Sequence, residues 1–218
     1  MTITKILATS DTHFQFDSSK WPTCDVFIHA GDLMMSGEEK EWTGVSDCLE
    51  QVRAPVKYLI PGNHDRRIER FESLSQKELE DRGVNLVLPS SPVVYLPSGH
   101  SMFCLPYVTN LPQWSYSKTE KKIMDYLYGW WSWSDGPDIV VSHGPPYGIL
   151  DKVPQEGSVG SKAAKSWWSL RRKKPKIWIF GHIHEGYGSE VVGDTAFYNV
   201  SHCDARYKKV NPPVEIEI

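Results

Sequence analysis

The chain has 218 residues, 40% of them hydrophobic and 23% charged, with a net charge of −3 at pH 7. That length and balance suit one globular domain with a substantial buried core. Near-neutral charge gives no global attraction to nucleic acid or to an anionic membrane, which leaves open a small nucleotide held by local charges or metals.

The opening segment from Met1 to Ser10 lacks the flank, apolar stretch and cleavage site of a secretory signal, and it runs directly into a motif at Asp11. No apolar run along the chain approaches the ~18 residues of a membrane span. From there the sequence repeats one arrangement, an apolar run followed by a polar cluster. Ile3 to Thr9 leads to Asp11-Thr12-His13, Asp25 to Ala30 leads to Gly31-Asp32, and Val56 to Ile60 leads to Gly62-Asn63-His64-Asp65. Later, Ile139 to Val141 leads to Ser142-His143-Gly144, and Lys176 to Phe180 leads to Gly181-His182-Ile183-His184.

Runs this short, rich in Ile and Val and nearly continuous in apolar character, read as strands buried on both faces. Helices are expected between them. One spans residues 36–51, where Ser36 can cap and Glu39 can close a capping box. Another runs from Asp65 through Arg82 to a stop at Gly83; two more cover 117–128 and 158–171. Residues 84–88, 93–96 and 101–105 read as strands with no helix between them. Val191-Val192, a turn at Gly193-Asp194, and 195–200 read as a hairpin, and 214–218 as a last strand. The alternation in the first third and the strand-rich remainder together suit a layered α/β sandwich with two sheets. No repeat, low-complexity tract or linker marks a boundary, so residues 1–218 are expected to form a single domain. Cys24, Cys48, Cys104 and Cys203 lie far apart without CxxC spacing, which fits free thiols in a cytoplasmic protein better than a disulfide framework or thiolate metal site.

Ligands of open α/β sheets gather outside the carboxyl ends of the strands. If these five strands are neighbours, their polar ends meet on one rim, with Gly31, Gly62, Gly144 and Gly181 allowing tight turns or close backbone approach there. Imidazole, carboxylate and amide oxygen suit Mn, Fe and Zn, with Mg favoured where oxygen dominates. Two metals roughly 3.5–4 Å apart can acidify a bridging water and clamp both oxygens of a phosphoryl transfer. The set Asp11, His13, Asp32, Asn63, His143, His182 and His184 supplies ligands for such a pair, one carboxylate bridging. Any one of these clusters alone is ordinary turn or strand-end chemistry; five in order are not.

As a set, Asp11-x-His13, Gly31-Asp32, Gly62-Asn63-His64-Asp65, His143 and Gly181-His182-x-His184 resembles the calcineurin-like metallophosphoesterase superfamily. The resemblance implies a four-layer α-β-β-α sandwich with two mixed β-sheets. It implies one metal held by Asp11, His13, Asp32 and His184, with Asp32 bridging to a second on Asn63, His143 and His182. Manganese leads among the metals expected, ahead of Fe, Zn, Ni, Co and Mg. His64 would bind no metal; oriented by Asp65, it would protonate the leaving oxygen. Residues 142–151, 181–188 and 199–203, with Asn211-Pro212-Pro213, are similar to the metallophosphoesterase-domain-containing branch, whose members act on phosphodiesters including cyclic nucleotides.

The Ser/Thr protein phosphatase branch carries Arg beside its GD and GNH motifs, a bidentate clamp for a dianionic phosphate. Here those stretches read Gly31-Asp32-Leu33-Met34-Met35-Ser36 and Ile60-Pro61-Gly62-Asn63, and Arg66 and Arg67 come only after the motif. The expected enzyme is therefore a two-metal phosphodiesterase acting through a bridging hydroxide on a small phosphodiester or nucleotide, with 2′,3′- and 3′,5′-cyclic nucleotides as the leading candidates. The alternatives are a phosphomonoesterase or nuclease on the same site, and a non-catalytic scaffold on the same fold.

Other residues invite weaker readings. His29 is expected to be a core histidine or one that backs the ligands by orienting Asp32, and His100 an exposed turn residue; for His202 and Cys203, which follow a strand end, a structural reading outweighs a place beside the site or pocket. Trp114, Tyr116, Trp130, Trp131 and Trp133 can stack on a base or simply fill the core. The run Arg171-Arg172-Lys173-Lys174 with Lys176 is expected to be a solvated helix end complementing the helix dipole, not a nucleic-acid surface.

Overall fold

The computed structural model describes residues 3–130 and 136–218. Five strands form the first sheet: β1 (Lys5–Thr9), β2 (Val26–His29), β3 (Val56–Leu59), β4 (Asn85–Leu86) and β13 (Val214–Glu217). Their order is β13-β1-β2-β3-β4, with β1 to β4 parallel and β13 antiparallel to β1. The second sheet contains β5 (Val93–Tyr95), β6 (Ser101–Leu105), β7 (Ile139–Ser142), β10 (Ile177–Phe180), β11 (Gly188–Val192) and β12 (Thr195–Asn199). Its order is β11-β12-β10-β7-β6-β5, parallel in the middle with an antiparallel strand at each edge. A small ribbon, β8 (Lys152–Val153) with β9 (Gly157–Ser158), lies outside both.

Successive residues of a strand face opposite ways, and three cores follow from that. Ile6, Ala8, Val26 and Ile28 of the first sheet meet Met102, Cys104, Ile139, Val141, Ile177 and Ile179 of the second. The opposite faces receive helices. Leu7, Phe27 and Leu59 pack against Trp42, Val45 and Leu49 of α1 (Glu39–Glu50) and Leu79 of α3 (Glu72–Glu80). Phe103, Val140, Trp178 and Phe180 pack against Ile123 and Leu127 of α4 (Glu120–Gly129) and Ala164 and Trp167 of α5 (Lys162–Leu170). The result is the α-β-β-α sandwich with two mixed sheets. Among the described residues no helix is long and apolar enough to cross a membrane, and the four cysteines are free thiols.

The helices expected over 117–128 and 158–171 begin later, as α4 and α5, and the other two differ in kind. The one expected over 65–82 is two, α2 (Arg66–Arg70) and α3, because Phe71 leaves the helical region at φ −134° and ψ 51°. The buried Arg67 guanidinium spans that bend, bonding Ser75 at 2.9 Å and Glu78 at 2.8 Å while also gripping Glu39 of α1. Helix α1 starts at Glu39, not at Ser36, and the capping box with Glu39 does not form; Ser36 instead bonds Glu41. Thr119 and Ser161 do cap α4 and α5 with their hydroxyls.

Candidate metal centre

The carboxyl ends of β1, β2 and β3 and those of β7 and β10 meet along one rim between the sheets. A one-residue bridge from Ser10 to Ser201 and a hydrogen bond from Gly181 N–H to His143 C=O help hold the rim together. Asp11 and His13 follow β1, Asp32 follows β2, Asn63 and His64 follow β3, His143 directly follows β7, and His182 and His184 follow β10. The chain turns sharply at these points. Asp11, His13, Asp32 and His182 have φ of 51°, 43°, 55° and 68°, a left-handed conformation that Asp and His tolerate better than most and that concentrates at functional sites. The loops also press together. At Gly31, with φ of +100°, a Cβ would meet His143 Nδ1 at 2.5 Å, and at Gly181 it would overlap the Ser10 hydroxyl and Asp11 carboxylate. Gly144 has ordinary room for a side chain.

Three groups of ligand atoms lie within 4.8 Å of one another: Asp11 with His13 and His184, Asp32 with His143 and His182, and His13 with Asp32 and His64. Asp32 stands between the outer two groups. One of its oxygens is 3.3 Å from His143 Nε2 and the other is 3.9 Å from His13 Nε2. Asn63 Oδ1 is 3.0 Å from His143 Nε2. All seven expected ligands therefore converge. One oxygen of Asp11 accepts from Ser10 Oγ, Ser201 Oγ and His182 N–H at 2.6, 2.9 and 2.8 Å. Its other oxygen is buried without a hydrogen-bond partner and faces His184 Nε2 at 3.4 Å. A buried carboxylate oxygen left bare beside convergent imidazoles fits a cation.

The sequence profile described as Calcineurin-like phosphoesterase matches residues 4–186. The chain belongs to this family. Metallophosphoesterase domain-containing protein 1 of Homo sapiens is 30% identical over 99% of this chain and 71% of its own length, and the Mus musculus protein of the same name aligns equally. A UPF0046 protein of Caenorhabditis elegans is 27% identical over 94% of this chain and 57% of its own length. One solved crystal structure superposes with a TM-score of 0.66 over 91% of this chain and 90% of that one, at 15% identity, and so supports the fold. As a member of the calcineurin-like phosphoesterases the chain is a metal-dependent phosphoesterase, and its convergent His and Asp side chains are suited to divalent metal.

Three histidines of this phosphoesterase are aimed by backbone carbonyls. Nδ1 of His143 donates to Ala30 C=O at 2.9 Å, that of His184 to Asp204 C=O at 2.8 Å, and that of His64 to Met35 C=O at 2.5 Å. Each Nε2 is thereby turned inward, as metal-binding or proton-transferring imidazoles require. Without metal the charges are unevenly shared. Burial alone would lower His143, but the Asp32 carboxylate overrides it and pushes it up to about 9. His184 rises to about 9 for a similar reason, burial being outweighed by Asp11. Burial holds His13 and His182 down to about 4. Both central carboxylates stay well below their ordinary range despite burial, Asp32 through His143 and Asp11 through His184.

The expectation that Asp65 orients His64 fails. The Asp65 carboxylate accepts from the backbone N–H groups of Asp32 at 2.9 Å, Gly62 at 2.8 Å and Met34 at 3.0 Å. It points into the two loops because their unpaired donors are buried there, and His64 turns to Met35 instead. Asp65 thus braces the Asp32 and Gly62 loops. Burial and the Asp32 charge push its own carboxyl up to about 7.

The remaining expectations divide. His29 is buried, accepts from Gly31 N–H at 3.3 Å and lies 3.0 Å from Thr12 Oγ1, so it steadies the backbone next to Asp32. His202 is buried beside Trp21, its peptide bonding Ser10 and Asn211, and Cys203 Sγ contacts Thr12 C=O at 3.8 Å; both support the rim from below. Lys174 spans the end of α5, donating to three carbonyls, and Lys173 pairs with Asp138. Tyr116 is core and Trp130 packs on the third core; Trp131 and Trp133 lie outside the described residues. Trp114 does reach the centre, its ring 4.4 Å from that of His64 and 4.8 Å from the Arg66 guanidinium carbon.

Sequence reading missed Tyr207, whose ring stands 4.7 Å from His13 and 5.5 Å from His184, and the carbonyl of Asp204. Tyr207 has φ of 57°, unusual for a bulky residue, within a loop that departs after β12 and carries no periodic signal.

Proposed function

We propose that this chain is a phosphodiesterase that works with a pair of divalent cations. The observation that carries this reading is Asp32, with one carboxylate oxygen toward the Asn63-His143-His182 side and the other toward Asp11-His13-His184. That arrangement supports a bridging role for Asp32 between two cations. Nitrogen and oxygen donors without a thiolate put manganese first, with Fe, Zn, Ni, Co and Mg as alternatives. Bound there, the cations supply Lewis acidity and neutralise charge on a phosphoryl group.

His64 lies at the edge of the centre, Nε2 3.9 Å from Asp32, and the two outer ligand groups are complete without it. Its role is acid catalysis. The Nε2–H bond breaks, the departing alkoxide gains that proton, and the imidazolium becomes neutral while Nδ1–H stays on Met35. Such a transfer contributes about 10²–10⁴-fold.

A diester is favoured over a phosphomonoester because Arg67, held by Glu39, Ser75 and Glu78, cannot join the exposed Arg66, which lies over Trp114, in a paired clamp for a dianionic phosphate. A small nucleotide, cyclic at 2′,3′ or 3′,5′, suits a centre walled by Trp114 and Tyr207. Manganese-loaded protein should cleave bis-p-nitrophenyl phosphate and cyclic nucleotides in preference to p-nitrophenyl phosphate and single-stranded DNA. Preference for the monoester or for DNA would replace the diesterase reading with the corresponding alternative. Full activity in protein stripped of metal would remove the basis of all three.

A further inference from the structure

Glu41 sits in the first turn of α1, 7% exposed, and is not one of the candidate ligands. Its carboxylate reaches back to the preceding loop and accepts from Met35 N–H at 3.1 Å, Ser36 N–H at 3.0 Å, Ser36 Oγ at 2.7 Å and Gly37 N–H at 3.2 Å. Those bonds outweigh the cost of burial and hold the group below its ordinary value. The commonplace account is a device that ties a helix start to its entering loop. It leaves one fact over. The peptide joining Met35 to Ser36 gives its N–H to Glu41, and the same peptide's C=O accepts from His64 Nδ1 at 2.5 Å. Carboxylate, peptide and imidazole form a single chain of two hydrogen bonds. The loop is also wedged against the His64 backbone, since a Cβ on Gly37, at φ +71°, would meet His64 C=O at 2.6 Å.

We propose that Glu41 is the positioning residue for His64, acting through the Met35–Ser36 peptide in place of a direct carboxylate–imidazole pair. The proposal rests on the acid role of His64 given above. An anion at the N–H end of a peptide polarises it and deepens the negative end at the carbonyl, and hydrogen bonds in such a chain strengthen one another. The carbonyl so charged fixes the imidazole ring with Nε2 toward the centre, where the leaving oxygen would take its proton. Asp65 cannot take this part, because its oxygens are committed to the N–H groups of Asp32, Met34 and Gly62.

The test is a double-mutant cycle of Glu41→Gln and His64→Ala in manganese-loaded protein. Each form is assayed on bis-p-nitrophenyl phosphate, a good leaving group, and on a nucleoside diester, a poor one. Glu41→Gln should lower kcat on the nucleoside diester about 10-fold and on the nitrophenyl ester less than about 2-fold, with KM and bound metal unchanged. In the His64→Ala background the same substitution should do nothing further. Equal losses on both esters, or an undiminished loss when His64 is already gone, would overturn the proposal. His64→Ala alone judges the underlying reading. If it harms both esters equally, the acid role itself falls; if it separates them and Glu41→Gln does not, only the Glu41 inference falls. Should Glu41→Gln fail to fold, Ser36→Ala, which deletes one bond of the chain's anchor, decides through a smaller separation of about 2-fold in the same sense.

Discussion

The Nε2 atoms of His13 and His184 face one another at 3.2 Å. Burial holds His13 down to about 4 while Asp11 holds His184 up to about 9, so at neutral pH the metal-free pair carries one extra proton, on His184. A cation bound there must displace that proton, and one bound at His143, also pushed up to about 9, must displace another. Filling the centre at pH 7 should therefore release roughly two protons per chain. Calorimetric titration of Mn²⁺ in buffers of different ionisation enthalpy reads this number directly. Heats independent of the buffer would contradict the assignment.

His143 and His184 together set a pH signature for the metal-free protein. A group raised above its ordinary 6.5 contributes stability that is complete below pH 6.5 and is lost as pH rises through about 9. Metal-stripped protein should thus lose Tm between pH 6.5 and 9, whereas metal affinity should rise over the same interval as the ligands deprotonate. Parallel thermal scans with chelator and with Mn²⁺ separate the two trends; a metal-free Tm that climbs with pH would reverse the sign argued here.

Asp65→Asn has one acceptor oxygen for three backbone donors now shared between two. At least one buried N–H loses its partner, which costs about 1–3 kcal/mol. Thermal unfolding should show a lower Tm, and metal affinity should fall as the Asp32 and Gly62 loops loosen. Unchanged Tm together with a leaving-group effect like that of His64→Ala would restore Asp65 to direct service of the imidazole.

Gly181→Ala tests the closeness of the two rims. The added Cβ overlaps the Ser10 hydroxyl and the Asp11 carboxylate, so the loop must shift, at a cost of about 1–3 kcal/mol. Metal content per chain should drop with it. Gly83→Ala is the contrasting control for φ alone, since its Cβ meets nothing although its φ is +70°.

Tyr207→Ala should raise KM for a nucleotide diester about 3- to 10-fold while leaving metal content intact, because its ring borders His13 and His184 and it is not one of the seven expected ligands. Steady-state kinetics with cyclic nucleotide and bis-p-nitrophenyl phosphate check it. Loss of metal instead would make Tyr207 a prop for the histidines.

Legibility in the sequence followed the physics of each element. The five buried strands announce themselves because a strand covered on both faces is apolar throughout, and the His, Asp and Asn after each mark where the chain leaves the sheet. The turn at Gly193-Asp194 is equally local. The bend at Phe71 is not, because it depends on Arg67 finding Glu39, Ser75 and Glu78 across three elements. Asp65 misled because adjacency to His64 in sequence suggested a pair, while the carboxylate's direction was settled by buried N–H groups 31 and 33 residues away. Tyr207 and Asp204 arrive on a loop whose position depends on contacts with the 10–15 segment, and no local pattern encodes that.

The strand β13 lies antiparallel to β1, Ile216 opposite Ile6, and thereby shields the flank of the strand that carries Asp11. Ligands begin at residue 11 and end at residue 184, their carbonyl supports extend to 204, and the shielding strand comes only at 214–217. Without residues 214–217 β1 has a bare edge and without Asp204 His184 loses its carbonyl partner, so the rim is complete only when widely separated segments of the chain have packed together.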